Sequence, residues 1–130
     1  MSELNITHTR AVWIDIPVKD LDRAKDFYAK TLNIEVLIEQ FGDIRFGVLE
    51  HDEGNGGCLV IQPENVGHQG PLVYLNANSR IQEATKQAEE NGGKILEPIH
   101  SIGPHGFRSI IEDSEGSEGN RVALHSETDS

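Results

Sequence analysis

AVWIDIPVKDLDRAKDFYAKTL, residues 11–32, joins a strand pattern directly to a helix pattern. Its first part alternates an apolar row with a second row, Val12, Ile14, Ile16 and Val18 against Trp13, Asp15 and Pro17. Period-two alternation with β-branched residues on one side predicts a half-buried strand. Asp20 can then cap a helix, and apolar residues follow at helical spacing at Leu21, Ala24, Phe27, Tyr28 and Leu32. The stretch therefore predicts a strand followed by an amphipathic helix.

Three short strand patterns complete the first half of the chain. They cover residues 35–39, 44–49 and 58–62. The segments between them, 41–43 and 52–57, contain the Gly, Asp and Asn residues that form turns. The first half is therefore expected to be a βαβββ module.

The same order of patterns recurs in the second half. Residues 72–77 alternate as a strand, Ser79 begins a capping-box pattern with Gln82, and the helix is expected to stop at Gly92–Gly93. Three further strands are expected at 94–97, 107–112 and 121–125. The sequence predicts an α+β fold of two tandem βαβββ modules in one domain of residues 1–130. Module one spans about 10–62, the linker 63–71 and module two about 72–126, with flexible ends.

A constant offset of 59 positions relates the two halves: Trp13 corresponds to Leu72 and Asp15 to Tyr74. A repeated Ser-Glu-Gly at 114–119 adds three residues near the end, so Ile61 is expected to correspond to Ala123. Each helix can cover only one face of its sheet, which leaves two opposite faces to enclose a cleft. Strand parity directs Trp13 and Asp15 into that cleft, together with Leu72, Tyr74, Ala123 and His125.

Three segments carry a resemblance to a known family: VWIDIPVKDLDRAKDFYAKTLNI at 12–34, GGKILEP at 92–98 and EGNRVALHS at 118–126. They resemble the first strand and helix, and the later strands, of the vicinal oxygen chelate superfamily. That superfamily contains glyoxalase I, bleomycin-resistance proteins and extradiol dioxygenases. The resemblance implies a glyoxalase/bleomycin-resistance-type fold with a concave cleft.

In metal-dependent members of that superfamily, His, Glu or Gln ligands come from the first and last strand of each half. The resemblance places Trp13, Ile61, Leu72 and Ala123 at these four positions, or Gln62 instead of Ile61 if the fourth strand shifts by one residue. None of the first four side chains can bind a metal, so the chain resembles a branch that is poor in metal ligands. No cofactor is expected, and a divalent metal at a relocated site is the alternative.

The candidate site residues follow from these positions. The ligand-binding cleft is expected to contain Trp13, Ile61, Leu72, Phe107 and Ala123. The loop IGPHGF at 102–107 is expected to be a plain hairpin connection, and a lid over the cleft is the alternative. Asp15, Tyr74 and His125 are the candidate catalytic residues, since a carboxylate, a phenol and an imidazole can perform acid/base chemistry, with Asp15 expected to orient His125.

Three functions remain open. The first is a metal-free small-molecule-binding protein with an apolar cleft. The second is a lyase or isomerase that uses the three candidate catalytic residues, with or without a relocated divalent metal. The third is a dimeric regulatory or interaction module.

The net charge and the cysteine content indicate which binding partners and which cellular location to expect. The formal net charge is -11, and an acidic surface repels phosphate backbones and anionic lipids. We therefore expect a small-molecule ligand, no nucleic acid and no membrane, and a homodimer because symmetric dimers are the commonest oligomers. The single cysteine, Cys58, excludes an intramolecular disulfide, and a cytoplasmic location is expected.

Overall fold

The structure is a computed structural model that describes residues 10–130. Its helices and strands follow the order β1 (Trp13–Val18), α1 (Leu21–Leu32), β2 (Val36–Phe41), β3 (Ile44–Leu49), β4 (Gly56–Ile61), β5 (Val73–Asn76), α2 (Ile81–Glu90), β6 (Lys94–Ser101), β7 (Phe107–Glu112) and β8 (Arg121–Ser126). Short 3-10 turns follow β4 at Pro63–Asn65 and β6 at Gly103–His105. The α+β fold of two tandem βαβββ modules is confirmed.

Each half forms its own four-stranded sheet, ordered β1-β4-β3-β2 and β5-β8-β7-β6. The first and last strands of each half pair in parallel, and the remaining neighbours pair antiparallel. The parallel pair needs a long crossover, which contains the helix, whereas β2 and β3 are joined by the tight turn Gly42–Asp43. The strands β1 and β5 are consequently free edges of their sheets.

The helices cover one face of each sheet, and we call the opposite face the open face. In β1, Ile16 and Val18 are buried on the helix side, while Trp13 and Asp15 are exposed on the open face. The predicted alternation is confirmed for these residues. One continuous core joins both halves, and it includes Phe27, Tyr28, Leu59, Ile81, Ala84, Ile111 and Leu124. No helix within the described part of the chain is long and apolar enough to cross a bilayer.

A buried polar contact holds the two halves together. The Tyr28 hydroxyl of α1 donates to Asp113 Oδ2 in the β7–β8 loop at 2.6 Å, and Asn120 Nδ2 donates to the same oxygen at 2.9 Å. Asn120 Nδ2 also donates to the carbonyl of Pro17 at 2.6 Å. Burial raises the pKa of Asp113, and burial followed by the nearby Asp113 charge raises the pKa of Tyr28 well above its usual value. The contact therefore depends on Tyr28 keeping its proton.

The same loop caps the first helix. The Glu115 carboxylate accepts from the backbone N–H groups of Lys19 and Asp20 and forms an ion pair with Arg23 at 3.0 Å. Asp20 itself accepts from the Arg23 N–H at 3.1 Å, so its predicted role as helix cap is confirmed. An acidic loop of the second half thus lies against the positive end of a helix in the first half.

The start of α2 differs from the prediction. No side chain caps the helix, and Ser79 lies outside it with a left-handed φ of 63°, so the expected capping box with Gln82 is wrong. The C-terminal residues take its place, because Ile81 N donates to the carbonyl of Ser130 at 3.1 Å and Gln82 Nε2 to that of Asp129 at 2.7 Å. The end of the chain, expected to be flexible, is hydrogen-bonded here. The expected flexible N-terminal end, residues 1–9, lies outside the described residues.

Candidate ligand groove

A groove runs between the free edges of β1 and β5, and we call it the β1–β5 groove. Its larger part encloses about 790 Å³, and the residues that line it include Trp13, Ile14, Leu32, Leu72, Val73, Tyr74 and Asn76. A second part of about 340 Å³ continues past Asp15 and the linker to Arg121. Ile14, Pro71 and Val73 line both parts. One chain therefore supplies walls from both of its halves.

Trp13 is held in place on the first wall. Its indole N–H donates to Cys58 Sγ at 3.4 Å, and its ring meets His51 edge to face with centroids 5.6 Å apart. A Cβ added to Gly56 would lie 2.4 Å from the His51 ring, so this glycine leaves the space that His51 occupies. The ring of Trp13 is still 44% exposed. A fixed and partly uncovered aromatic ring is suited to stacking against a ligand.

Asp15 lies beside the same cysteine. The Cys58 thiol donates to Asp15 Oδ1 at 3.3 Å, and the two residues pair across the parallel strands β1 and β4. Burial raises the pKa of Cys58; the bond from Trp13 opposes that rise, and the bond to Asp15 adds to it. The thiol therefore stays protonated at neutral pH and is a weak nucleophile.

Tyr74 and His125 lie together on the open face of the second sheet, with ring centroids 6.3 Å apart. Arg108 lies on the same face. Its Nη1 donates to the Tyr74 hydroxyl, and its Nε donates to Nε2 of a further histidine, His100, at 3.0 Å. His125 Nε2 lies 2.6 Å from the carbonyl of His105. Since a carbonyl only accepts, that nitrogen is the protonated one, and the Nδ1 atom is left to face other groups.

The candidate catalytic residues do not form one cluster. Tyr74 and His125 are neighbours, but Asp15 belongs to the other sheet and bonds to Cys58. Across residues 10–130, no hydrogen bond or ion pair joins Asp15 to Tyr74 or His125. The role of Asp15 as the residue that orients His125 is therefore not supported by contacts, and the carbonyl of His105 fills that place.

Two of the expected cleft residues lie on other faces. Ile61 pairs with Val18, which places it on the helix-side row, opposite Trp13 and Asp15. Phe107 packs against the helix-side core, and its backbone pairs with the buried Ser126. Both assignments to the open face are corrected. Leu72 does line the β1–β5 groove, whereas Ala123 pairs with Tyr74 and is completely buried.

The register also corrects the match between the halves. Asp15 pairs with Cys58 in the first half, and Tyr74 pairs with Ala123 in the second. The residue that corresponds to Ala123 is therefore Cys58, three positions before Ile61. Cys58 and Arg108 are two polar open-face residues that the sequence pattern did not indicate. A continuous apolar run at 58–61 and the pair Ile110–Ile111 hide the strand parity that would have indicated them.

The side chains present do not fit a divalent ion. Within residues 10–130, no three His, Cys, Asp or Glu side chains are grouped closely enough to hold one. The positions at which the family resemblance implies ligands hold Trp13, Leu72 and Ala123, with Cys58 replacing Ile61 after the register is corrected. A single protonated thiol does not make a divalent site.

Comparison with known proteins agrees with this architecture. Residues 6–122 match the model of the family described as "Glyoxalase/Bleomycin resistance protein/Dioxygenase superfamily". A "Glyoxylase-like domain-containing protein" of Didymella fabae is 27% identical over 105 residues, which cover 77% of this chain and 81% of that protein.

Two solved structures show the same fold at low identity. A member of the superfamily from Sphaerobacter thermophilus DSM 20745 has a TM-score of 0.65 at 21% identity and covers 92% of this chain and 98% of its own. A genomically encoded fosfomycin resistance protein from Listeria monocytogenes has a TM-score of 0.67 at 16% identity, with 92% and 94% covered. At these identities the likeness concerns the fold alone.

Proposed function

The chain belongs to the glyoxalase/bleomycin resistance protein/dioxygenase superfamily, and we propose that it is a metal-free member that binds a small apolar or planar molecule in the β1–β5 groove. The observation that carries the proposal is that Trp13 and Leu72 line this groove at positions where metal-dependent relatives place ligands. In this chain, apolar side chains occupy the positions at which those relatives bind an ion. No substrate follows from the family, because one fold supports many chemistries.

The size and lining of the groove support binding. Its larger part, about 790 Å³, lies in the range of about 300–1,000 Å³ that is usual for small-molecule sites. Its walls are mainly apolar, with Asn76 and the Tyr74 hydroxyl as nearby polar groups. Because Trp13 is already fixed by Cys58 and His51, little side-chain entropy is lost when a ligand covers it.

Two measurements test the proposal. Elemental analysis of protein purified without chelator should find no stoichiometric divalent metal. The neutral fluorescent probe N-phenyl-1-naphthylamine should bind at one site per chain, and Trp13→Ala should weaken that binding about tenfold because an aromatic contact is lost. Leu37→Ala is the control, since Leu37 is 51% exposed on β2 and does not line the groove. Stoichiometric metal, or equal effects of the two variants, would contradict the proposal.

A second candidate is a lyase or isomerase that uses Tyr74 and His125. The observation that favours it is their contact on the open face, with His125 held by the carbonyl of His105. Asp15 lines the second part of the groove, so in such a reaction it would contact the ligand and not His125. The reaction could proceed with or without a relocated divalent metal. The test is to recover the small molecule that copurifies, incubate it with fresh protein and identify it by mass spectrometry. A ligand changed by wild type but not by His125→Gln supports catalysis, and an unchanged ligand supports binding alone.

The proposal also covers partners and location. We expect a homodimer, because Phe41 and Ile44 expose 79% and 63% of their surface at the tip of the β2–β3 hairpin. Light scattering should give twice the chain mass, and Phe41→Ser should lower it. A dimer with no ligand in the groove would favour the third possibility, a regulatory or interaction module. The acidic surface argues against nucleic acid and membranes, and the lone thiol of Cys58 is compatible with the cytoplasm.

A further inference from the structure

Arg108 holds a fixed position on the open face of the second sheet. In the sheet, the backbone of Arg108 pairs with His125 of β8 on one side and with His100 of β6 on the other. The guanidinium donates from Nε to His100 and from Nη1 to Tyr74, and its carbon lies 6.0 Å from the centre of the Tyr74 ring. Side chains of β5 and β6 therefore hold the guanidinium of this β7 residue in a single orientation.

The charge of Arg108 is not neutralised by a carboxylate. Over residues 10–130, Arg23 and Arg45 have carboxylate oxygens at 3.0 and 3.6 Å, but no acidic oxygen lies within 4.0 Å of Arg108. Glu97 Oε1 lies 3.9 Å from Nε2 of His100, the histidine that accepts from Arg108. Among residues 10–130, Arg80 and Arg121 also lack such a carboxylate, but Arg108 is the arginine that contacts Tyr74 of the groove wall.

Both partners of Arg108 are neutral acceptors. His100 accepts from Arg108 at Nε2, so its proton is on Nδ1, which lies 2.8 Å from the carbonyl of Pro98. The Tyr74 hydroxyl is the other acceptor. These bonds orient the guanidinium without cancelling its charge, and the second N–H of Nη1 and the N–H groups of Nη2 keep the capacity to donate to an oxyanion.

The guanidinium lies next to the β1–β5 groove. Tyr74 lines that groove and contacts Arg108 through its hydroxyl. A ligand that lies along Trp13 and Leu72 and extends past the Tyr74 ring would approach the guanidinium. The larger part of the groove is lined mainly by apolar residues together with Glu50, Arg121 lines the second part, and Arg108 lies beyond Tyr74 at the side of the larger part.

We propose that Arg108 recognises the anionic group of the ligand, which is an apolar, ring-bearing oxyanion such as an aromatic carboxylate or sulfonate. This inference rests on the proposed binding function and names its ligand class. The ring of the ligand lies against Trp13, and its oxyanion accepts hydrogen bonds from Arg108.

A pair of probes with the same aromatic skeleton tests the inference. One is 8-anilinonaphthalene-1-sulfonate, which is anionic, and the other is N-phenyl-1-naphthylamine, which lacks the sulfonate. Wild type should bind the sulfonate more tightly. Arg108→Gln should weaken the sulfonate about tenfold and change the neutral probe less than about twofold, because only the charge-assisted bond is lost. Arg108→Lys should retain part of the preference.

Controls separate this inference from its premise. Arg45→Gln removes an exposed arginine that pairs with Asp22 and should leave both probes unaffected. If neither probe binds wild type, the binding function and the inference are both refuted. If both bind, and Arg108→Gln alters them equally or alters neither, the binding function stands and the anion site is refuted.

Discussion

Tyr28→Phe is predicted to weaken the contact between the two halves by about 2 kcal/mol at pH 7. The substitution keeps the buried ring and its edge-to-face contact with Phe27, whose centroid is 4.9 Å away. It removes only the hydroxyl that donates to Asp113 Oδ2 at 2.6 Å. A hydrogen bond to a charged group contributes about 1.5–3 kcal/mol. The lower part of that range applies because Asn120 still donates to the same oxygen.

The pH dependence provides a second signature. The pKa of Tyr28 is raised in the folded protein, so the folded state keeps a proton that the unfolded chain releases above about pH 10. The stability that this group contributes is complete below that pH and is lost as the pH rises, at up to about 1.4 kcal/mol per pH unit. Tyr28→Phe has no hydroxyl that can lose a proton, so its stability lacks this pH-dependent contribution. The difference between wild type and variant should therefore shrink above pH 10.

Urea denaturation followed by Trp13 fluorescence at pH 7 and at stepwise higher pH measures both effects. Tyr74→Phe is the matched control, because it removes the hydroxyl of the other tyrosine at a site that is 45% exposed and should cost less than about 0.5 kcal/mol. Two results would refute the reasoning: a loss below about 0.5 kcal/mol for Tyr28→Phe, or a difference that stays constant up to pH 11.

Three further predictions concern buried groups near the groove and the interface between the halves. Since the pKa of Asp113 is raised, its charged form costs stability, and the free energy of unfolding of wild type minus that of Asp113→Asn should fall as the pH rises from about 3.8. Gly57→Ala should destabilise the protein by about 2 kcal/mol, because the new Cβ would lie 2.5 Å from the carbonyl oxygen of Ile14. Gly54→Ala, with no neighbour within 4 Å, is its control in the same thermal melts. Iodoacetamide should alkylate Cys58 more slowly at pH 8 than a free cysteine, because burial raises the pKa of the thiol; equal rates in a thiol assay would contradict this.

The fold could be predicted because its elements are local and repeated. β1 and α1 follow from one continuous pattern, and the constant offset between halves indicates that the pattern occurs twice. The orientation of Trp13 and Asp15 was predictable for the same reason, since a single apolar row fixes strand parity. Strands with that clear alternation place their side chains correctly from sequence alone.

The remaining site residues depend on long-range register. The run Cys58–Ile61 is apolar at every position, so nothing in it shows which residues face the helix, and a shift of three positions exchanged Cys58 for Ile61. In β7 the apolar Phe107 was assigned to the open face, but pairing with Ser126 and contact with the core place it on the helix side and turn Arg108 outward. The capping box at Ser79 failed because the end of the chain, more than forty residues away, occupies that helix start.

The β7–β8 loop makes the duplicated halves complementary rather than interchangeable. Glu115 and Asp113 of the second half meet a helix start and a tyrosine that belong to the first half. Non-covalent contacts therefore join the halves in addition to the covalent linker at 63–71, much of which is exposed. A protease nick in that linker should leave two fragments that stay associated and recombine after separation, which makes the chain a candidate for a split reporter whose reassembly restores the groove.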